Sequence, residues 1–419
     1  MTRAGDGEET SASTFRRLAL GLLSIVLVVS GCGNSSTDTA AAIAAPLPTP
    51  PPIIAPDAAK ARGEIVEEFP LTDFLDDEEN SIGEARRAVY RSVSGIDGGV
   101  RDVSGVFLIP PGSPPPGGWP VLSIAHGTTG IGNDCGPSRD PELMGSLAAA
   151  KAYLAEGYAI AVSDYEGLGE QGRHPYLEPR TSAFNVTDAV RALRNLFPDI
   201  STQWLAFGNS QGGQAAWAAN EVAGWYGTDL DLVGSVALSP AANVTALAEL
   251  AYSHSLTNDQ RAVMPLVVAG VERFTPELTD RSLLPDFTPD QEDDIFNCTA
   301  GASTLRNDVL SHSVRPDDPA TTDQLRDALR RIALPQEALA APMLVINGLG
   351  DKTILPQWVS TAVEGACELG GRVEHFEVAK AGHGDLGGEA YEIASEWVRD
   401  RFASLPAPSN CGAPPTVLS

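Results

Sequence analysis

A serine flanked by glycines, Gly208-Asn209-Ser210-Gln211-Gly212, is the segment of this sequence best suited to covalent chemistry. A serine hydroxyl is a poor nucleophile until a base lies beside it and an acid orients that base. Where G-x-S-x-G joins a strand to a helix, the set follows the order serine, acid, histidine along the chain. The six histidines are His126, His174, His254, His312, His375 and His383. Only His375 and His383 follow the strand-like run "PMLVING", Pro342 to Gly348. His375 sits inside another such run, "VEHFEVA", where the pleat fixes its direction. His383 sits in "AKAGHGDLGG", a loop of small residues that permits close approach, and is the candidate base. Asp351, in "LGDKTILP" just after "PMLVING", is the candidate acid. Asp164 in "VSDYEGLG" precedes the serine and reads as a turn residue, and Asp385 reads as a cap for the last helix.

Attack on an acyl carbon creates an oxyanion, which needs preorganised donors. The N–H of Gln211, the residue after the serine, is one candidate. The loop "SIAHGTTG" supplies the others, at Gly127 and Thr128, with His126 read as a residue that positions that loop.

The elements around these residues suit the chemistry. "GVFLIP" (Gly105 to Pro110), "PVLSIAHG" (Pro120 to Gly127), "YAIAVSDY", "QWLAF" and "LVGSVALS" (Leu232 to Ser239) are short apolar runs bounded by turn residues, as buried strands are. Between them "PELMGSLAAAKAYLAEG" (Pro141 to Gly157), "TSAFNVTDAVRALRNLF" (Thr181 to Phe197, with a Ser or Thr cap) and "QAAWAANEVAGWY" read as helices. "EAYEIASEWVRDRFASL" closes the pattern as a last helix. Strands alternating with helices predict an α/β fold with a mostly parallel central sheet covered on both faces. Ser210 then falls at a strand-to-helix turn, where strain lifts its hydroxyl above the sheet and the glycines admit close backbone.

The chain has 419 residues, 43% hydrophobic and 20% charged, enough for a substantial core. A formal net charge of −27 argues against nucleic acid as a partner. Arg16 and Arg17 precede the apolar run "LALGLLSIVLVV", Leu18 to Val29, which is short for a membrane span and reads as a secretory signal. Val29-Ser30-Gly31-Cys32 resembles the bacterial lipobox, which implies removal of residues 1–31 and a mature chain beginning at lipidated Cys32. Residues 32–61, rich in Ala and Pro, read as a tether off the membrane. With Cys32 acylated, Cys135, Cys298, Cys367 and Cys411 remain, an even number in an exported chain. Of their three possible connectivities we favour Cys135–Cys298 and Cys367–Cys411, the second stapling a Pro-rich tail. No cysteine spacing matches a zinc site.

"AHGTTG", "SDYEGLG", "GNSQGG", "GLGDKTILP" and "AGHGD", in that order, resemble the secretory lipase family of α/β-hydrolases, similar to lipases of the lipase-A type. The resemblance spans about Glu64 to Cys411. It implies an α/β-hydrolase core over residues 62–242 and 341–419, with a largely helical cap or lid over residues 243–340. It maps the family's nucleophile, acid and base to Ser210, Asp351 and His383. Yeast members often carry Tyr before the serine; here Asn209 stands there, at a position expected to point away from the reactive face. In the cap, "LTNDQRAVMPLVVAGVERF" has an apolar face near Met264 to Val271 that either lines an acyl tunnel or packs the cap on the core.

The expected function is a serine lipase or carboxylesterase with a lipid or other ester as substrate, without metal or organic cofactor, acting as a monomer anchored outside the cell membrane or released. Acyl transfer, or thioesterase or peptidase chemistry, uses the same residues, because fold does not fix substrate. A non-catalytic lipid-binding lipoprotein is the reading from another class.

Overall fold

The structure is a computed structural model. It describes residues 43–72, 82–275 and 316–419, and between the last two stretches residues 278, 283, 294–298, 302 and 306. The signal segment, Cys32 and residues 32–42 of the expected tether lie outside the described residues.

The strands are β1 (Ile65–Pro70), β2 (Glu84–Val93), β3 (Val100–Ile109), β4 (Trp119–Ala125), β5 (Ala159–Ser163), β6 (Ile200–Asn209), β7 (Asp231–Leu238), β8 (Met343–Gly348), β9 (Val373–Val378) and β10 (Thr416–Leu418). They form one sheet in the order β1-β2-β3-β5-β4-β6-β7-β8-β9-β10. The pairs β1·β2, β2·β3 and β3·β5 are antiparallel. From β5 to β10 every pair is parallel. The helices are α1 (Pro56–Ala61), α2 (Leu147–Ala155), α3 (Pro179–Leu196), α4 (Gln211–Tyr226), α5 (Leu247–Tyr252), α6 (Asn258–Val271), α7 (Pro319–Ile332), α8 (Pro356–Glu368) and α9 (Gly388–Phe402).

Helices cover both faces of the sheet, which is why its inner strands are near-continuous apolar runs. Along β6 the side chains alternate between two cores. Trp204 and Ala206 join one with Phe184 of α3, Trp217 of α4 and Trp358 of α8. Leu205 and Phe207 join the other with Leu154 of α2 and Trp397 of α9. Burying each such side chain contributes about 1.5–3 kcal/mol, so the centre of the sheet is the rigid part that carries the site. Among the described residues no helix is long and apolar enough to cross a membrane.

The α/β-hydrolase architecture matches expectation; some boundaries do not. The helix expected from Pro141 starts at Leu147, because Leu143 and Met144 adopt φ of 50° and Gly145 of 91°, which no helix continues through. The cap of α3 is Glu178 rather than Ser or Thr: its carboxylate accepts from the N–H of Arg180 and of Thr181, at 3.3 and 2.7 Å. Asp385 does not cap α9; it lies two residues before the cap position, Gly387, and its Oδ1 accepts from Gly387 N–H at 2.9 Å. Over residues 43–61 the expected tether lies on the domain. Ala44 N–H donates to Thr245 Oγ1 at 2.9 Å, Leu47 N–H to the Arg330 carbonyl at 2.8 Å, and Arg180 to the Thr49 carbonyl at 2.9 Å. A Pro-rich strand has no internal hydrogen bonds, so its free carbonyls are available to side chains of the fold.

Candidate functional site

Strand β6 ends at Asn209 and helix α4 starts at Gln211, leaving Ser210 alone in the turn. Its backbone has φ 59° and ψ −117°, a strained region for a residue with a side chain. Three backbone bonds hold it there: Ser210 N–H to the Leu238 carbonyl at 2.9 Å, and its own carbonyl receiving Gln214 and Ala241 N–H at 3.0 and 3.1 Å. The flanking glycines are required by contact. A Cβ on Gly208 would sit 2.1 Å from the Gly212 carbonyl oxygen, and one on Gly212 would sit 1.9 Å from that of Ala125.

The loop after β9 brings His383 Nε2 to 2.8 Å from Ser210 Oγ. The loop after β8 places Asp351 Oδ2 2.7 Å from His383 Nδ1. The other oxygen of Asp351 accepts from the N–H groups of Thr353 and Ile354 at 2.8 and 3.0 Å. The Asp351 side chain is fully buried, while that of His383 keeps 22% exposure. A carboxylate held by two amides fixes the imidazole with Nδ1 donating, which leaves the Nε2 lone pair facing the serine. The structure therefore brings together the three residues the sequence singled out. His375 lies elsewhere, its Nε2 2.7 Å from Asn347 Oδ1 inside the sheet.

The loop after β4 closes the other side. A Cβ built on Gly127 would lie 4.0 Å from Ser210 Cβ, so this loop runs close beside the serine. Gln211 N–H, in the first turn of α4, has no carbonyl partner within its helix. His126 anchors the loop: Nδ1 lies 2.7 Å from the Gly127 carbonyl and Nε2 3.2 Å from the Asp164 carbonyl, and the ring stacks on Tyr165 at 4.2 Å. Burial pushes its pKa down to about 4. It is then neutral at pH 7 and donates one proton, to the nearer carbonyl of Gly127. Asp164, expected as a turn residue, is buried and accepts from Ser104 Oγ at 2.6 Å, Ser138 N–H at 2.8 Å and Ser138 Oγ, fastening the 137–139 turn to the sheet.

Two residues that the sequence did not single out as part of the site come from the segment His174-Pro175-Tyr176, between β5 and α3. His174 Nδ1 faces the Glu166 carbonyl at 2.8 Å, which requires the proton on that nitrogen. Its Nε2 is then an acceptor, and Gln211 Nε2 lies 2.9 Å from it. Tyr176 places its hydroxyl 2.6 Å from Thr128 Oγ1. The run Arg173-His174-Pro175-Tyr176 matches no motif; two ring-bearing residues around a rigid proline were its only signal.

Ser210 and His383 open on a cavity of about 380 Å³, within the usual range for small-molecule sites. Gly127, Thr128, Tyr176, Leu177, Ala241, Val244, Leu247 and Ile354 are among the residues that line it. The apolar run of α6 divides. Val263 and Val267 line the cavity, and Val267 is also buried in the core with Met264, Leu266, Val268 and Val271. Helix α6 is held to the acid loop through Thr257 Oγ1 and Gln260 Nε2, which donate to the Lys352 and Thr353 carbonyls at 2.7 and 3.3 Å. Asn209 is also among the residues around this cavity, and its side-chain Oδ1 is buried.

Cys135 pairs with Cys298 and Cys367 with Cys411, with Cα–Cα distances of 5.4 and 5.5 Å, the favoured connectivity. The first pair lies beside a backbone bond from Ile131 N–H to the Phe296 carbonyl at 2.9 Å, joining the loop after β4 to residues 294–298. The second ties α8 to the tail that adds β10 to the sheet. Among the described residues no cluster of three or more His, Cys, Asp or Glu is arranged to hold a metal.

Residues 146–410 match the model of the family described as secretory lipase. A Mycobacterium tuberculosis protein named "Probable inactive lipase" is 28% identical over 314 residues, covering 68% of this chain and 67% of that protein. Candida antarctica lipase A in its closed state superposes with a TM-score of 0.66 at 16% identity, over 87% of this chain and 88% of that one. A rice cell wall degrading esterase from Xanthomonas oryzae superposes with a TM-score of 0.61 at 22% identity, over 82% and 99%. At these identities the two structures speak for the α/β-hydrolase fold.

Proposed function

This chain belongs to the secretory lipase family, and on that premise we propose that it is a serine lipase or carboxylesterase whose nucleophile, base and acid are Ser210, His383 and Asp351. The observation that carries the reading is the continuous chain of hydrogen bonds from Asp351 through His383 to Ser210, 2.7 and 2.8 Å long, at the mouth of a cavity with apolar walls.

In this reading His383 takes the Ser210 proton as Oγ attacks the ester carbonyl, and Asp351 steadies the imidazolium that forms. The oxyanion rests on the N–H groups of Gln211 and of the Gly127–Thr128 loop. The alcohol departs with the proton from His383, and water then repeats the sequence on the acyl-enzyme. The apolar faces of Val244, Leu247, Val263 and Val267 suit an acyl chain.

Residues 243–340, where α5, α6 and α7 separate β7 from β8, serve as a cap over the site in this reading. The family and the two disulfides are consistent with an exported protein. Acylation of Cys32 would hold it as a monomer on the outer face of the cell membrane.

The test is hydrolysis of p-nitrophenyl esters from acetate to palmitate by the wild-type protein and by Ser210→Ala. Release by the wild type alone supports the reading, and the chain-length profile separates an esterase from a lipase. Equal release by both proteins, or none by folded wild type, overturns it.

A further inference from the structure

We propose that the Thr128 side-chain hydroxyl is a further oxyanion donor, in addition to the backbone amides, and that Tyr176 positions and polarises it. The inference rests on the serine-hydrolase reading above.

Thr128 Oγ1 and the Tyr176 hydroxyl lie 2.6 Å apart, and both residues line the cavity that Ser210 opens on. Either oxygen could donate, but the chemistry chooses. A phenolic O–H is the more acidic donor, and an aliphatic hydroxyl oxygen is the better acceptor. Tyr176 therefore donates to Thr128. Among the described residues neither hydroxyl has another hydrogen-bond partner. In this direction the phenol proton is satisfied, and the unused proton belongs to Thr128. In the reverse direction the tyrosine proton would be left without a partner.

The free proton of Thr128 stands in the loop that runs beside the nucleophile, one residue after Gly127, and Thr128 lines the same cavity as Ser210. A carbonyl oxygen that gains charge as Ser210 attacks is a strong acceptor, and the Thr128 hydroxyl turns toward it at the cost of one rotor. Accepting from Tyr176 at the same time strengthens that donation, because hydrogen bonds in series polarise one another. No proton is transferred: Tyr176 and Thr128 keep their own, and both bonds shorten as charge develops.

Tyr176 is suited to the part. It is 3% exposed, and burial raises its pKa to about 12, so it remains a donor at any working pH. Its backbone is wedged against α6, where a Cβ on Gly270 would fall 2.4 Å from the Tyr176 carbonyl oxygen. Its ring meets His174 edge to face at 6.1 Å. One tripeptide thus braces both sides of the site, His174 holding the Gln211 side chain and Tyr176 holding Thr128.

The experiment is steady-state hydrolysis of p-nitrophenyl butyrate by the wild type, by Thr128→Val, Thr128→Ser and Tyr176→Phe, and by the double variant that combines Thr128→Val with Tyr176→Phe. Thermal melts show that each variant is folded. Loss of one oxyanion donor lowers kcat about 10- to 1000-fold. Thr128→Val should fall in that range with little change in KM, and Thr128→Ser should retain most activity. Tyr176→Phe should lower kcat by a smaller factor, and should lower it no further in the Thr128→Val background. A folded Thr128→Val as active as wild type, or a Tyr176→Phe loss that persists in full in the double variant, overturns the relay alone. A wild type inert toward every ester overturns the hydrolase reading and the relay with it.

Discussion

The Gln211 side-chain amide donates to a histidine that cannot donate back: Gln211 Nε2 lies 2.9 Å from His174 Nε2, while His174 Nδ1–H is committed to the Glu166 carbonyl at 2.8 Å. The contact needs a neutral ring, and burial supplies one by pushing the His174 pKa down to about 3. Gln211 carries one of the amides assigned to the oxyanion, so the histidine braces the residue that the chemistry leans on. His174→Ala should leave a buried amide without its acceptor and lower stability by about 1–3 kcal/mol. It should also lower kcat for ester hydrolysis while leaving KM close to the wild-type value. Urea melts and steady-state kinetics read the two effects, and unchanged values for both would mean that the contact positions nothing.

Stability should vary with pH in two opposed ways. His126 and His375 are held near pKa 4 and His174 near 3, each by burial first. An unfolded histidine binds its proton near pH 6.5. Below that the unfolded chain holds more protons, so stability present above pH 6.5 is lost as the pH falls through about 4. Glu221 runs the other way, because burial raises its pKa to about 8 against three N–H donors from Gln336, Glu337 and Trp217. Its contribution is full below the ordinary carboxylate range and is lost as the pH rises through about 8. Urea midpoints from pH 4 to 9 should fall on both sides of a maximum, and Glu221→Gln should flatten the alkaline limb. A wild-type profile that is level from pH 7 down to 4 would contradict the buried neutral histidines.

Gly212→Ala should be among the most damaging single changes in the chain. The added methyl would fall 1.9 Å from the Ala125 carbonyl and 2.7 Å from that of His126, both backbone atoms of β4 and its loop. Relief requires moving β4, α4 or the serine turn, at about 3 kcal/mol or more. The expected result is little soluble protein, or a folded variant with its melting temperature sharply reduced and its activity gone. Gly382→Ala is the control: nothing lies within 4 Å of a Cβ there, and it should fold like the wild type.

Some of this was legible in the sequence, and the reason differs by residue. Ser210 announced itself because a strained strand-to-helix turn excludes Cβ atoms at Gly208 and Gly212. Asp351 and His383 followed from chain order and from the small-residue loops that close approach demands. The sheet interior was legible because strands buried on both faces are apolar throughout. Strand β1 was not: nearly all of it faces solvent, and the polar "VEEF" within it looks like a loop. The start of α2 was hidden because Leu143 and Met144 adopt positive φ within a turn held by Asp140, whose Oδ1 accepts from the N–H groups of Glu142 and Met144, and neither residue type signals that conformation. Residues 43–61 read as tether because their composition builds no core, while their carbonyls find Asn243, Arg330 and Arg180 across the fold. The pairing of Tyr176 with Thr128 joins residues 48 apart. No local pattern carries such a contact.

Family membership alone leaves the activity of this chain open, since a relative at 28% identity carries a name that calls it inactive. The most direct measurement is covalent labelling of the folded protein with a fluorophosphonate, followed by intact mass and peptide mapping. An activated serine attacks phosphorus as it would an ester carbonyl, and the adduct is stable. The account predicts one adduct per chain, on Ser210, absent from Ser210→Ala and formed far more slowly by His383→Ala. A folded protein that takes up no label, or takes it up at another residue, would contradict it.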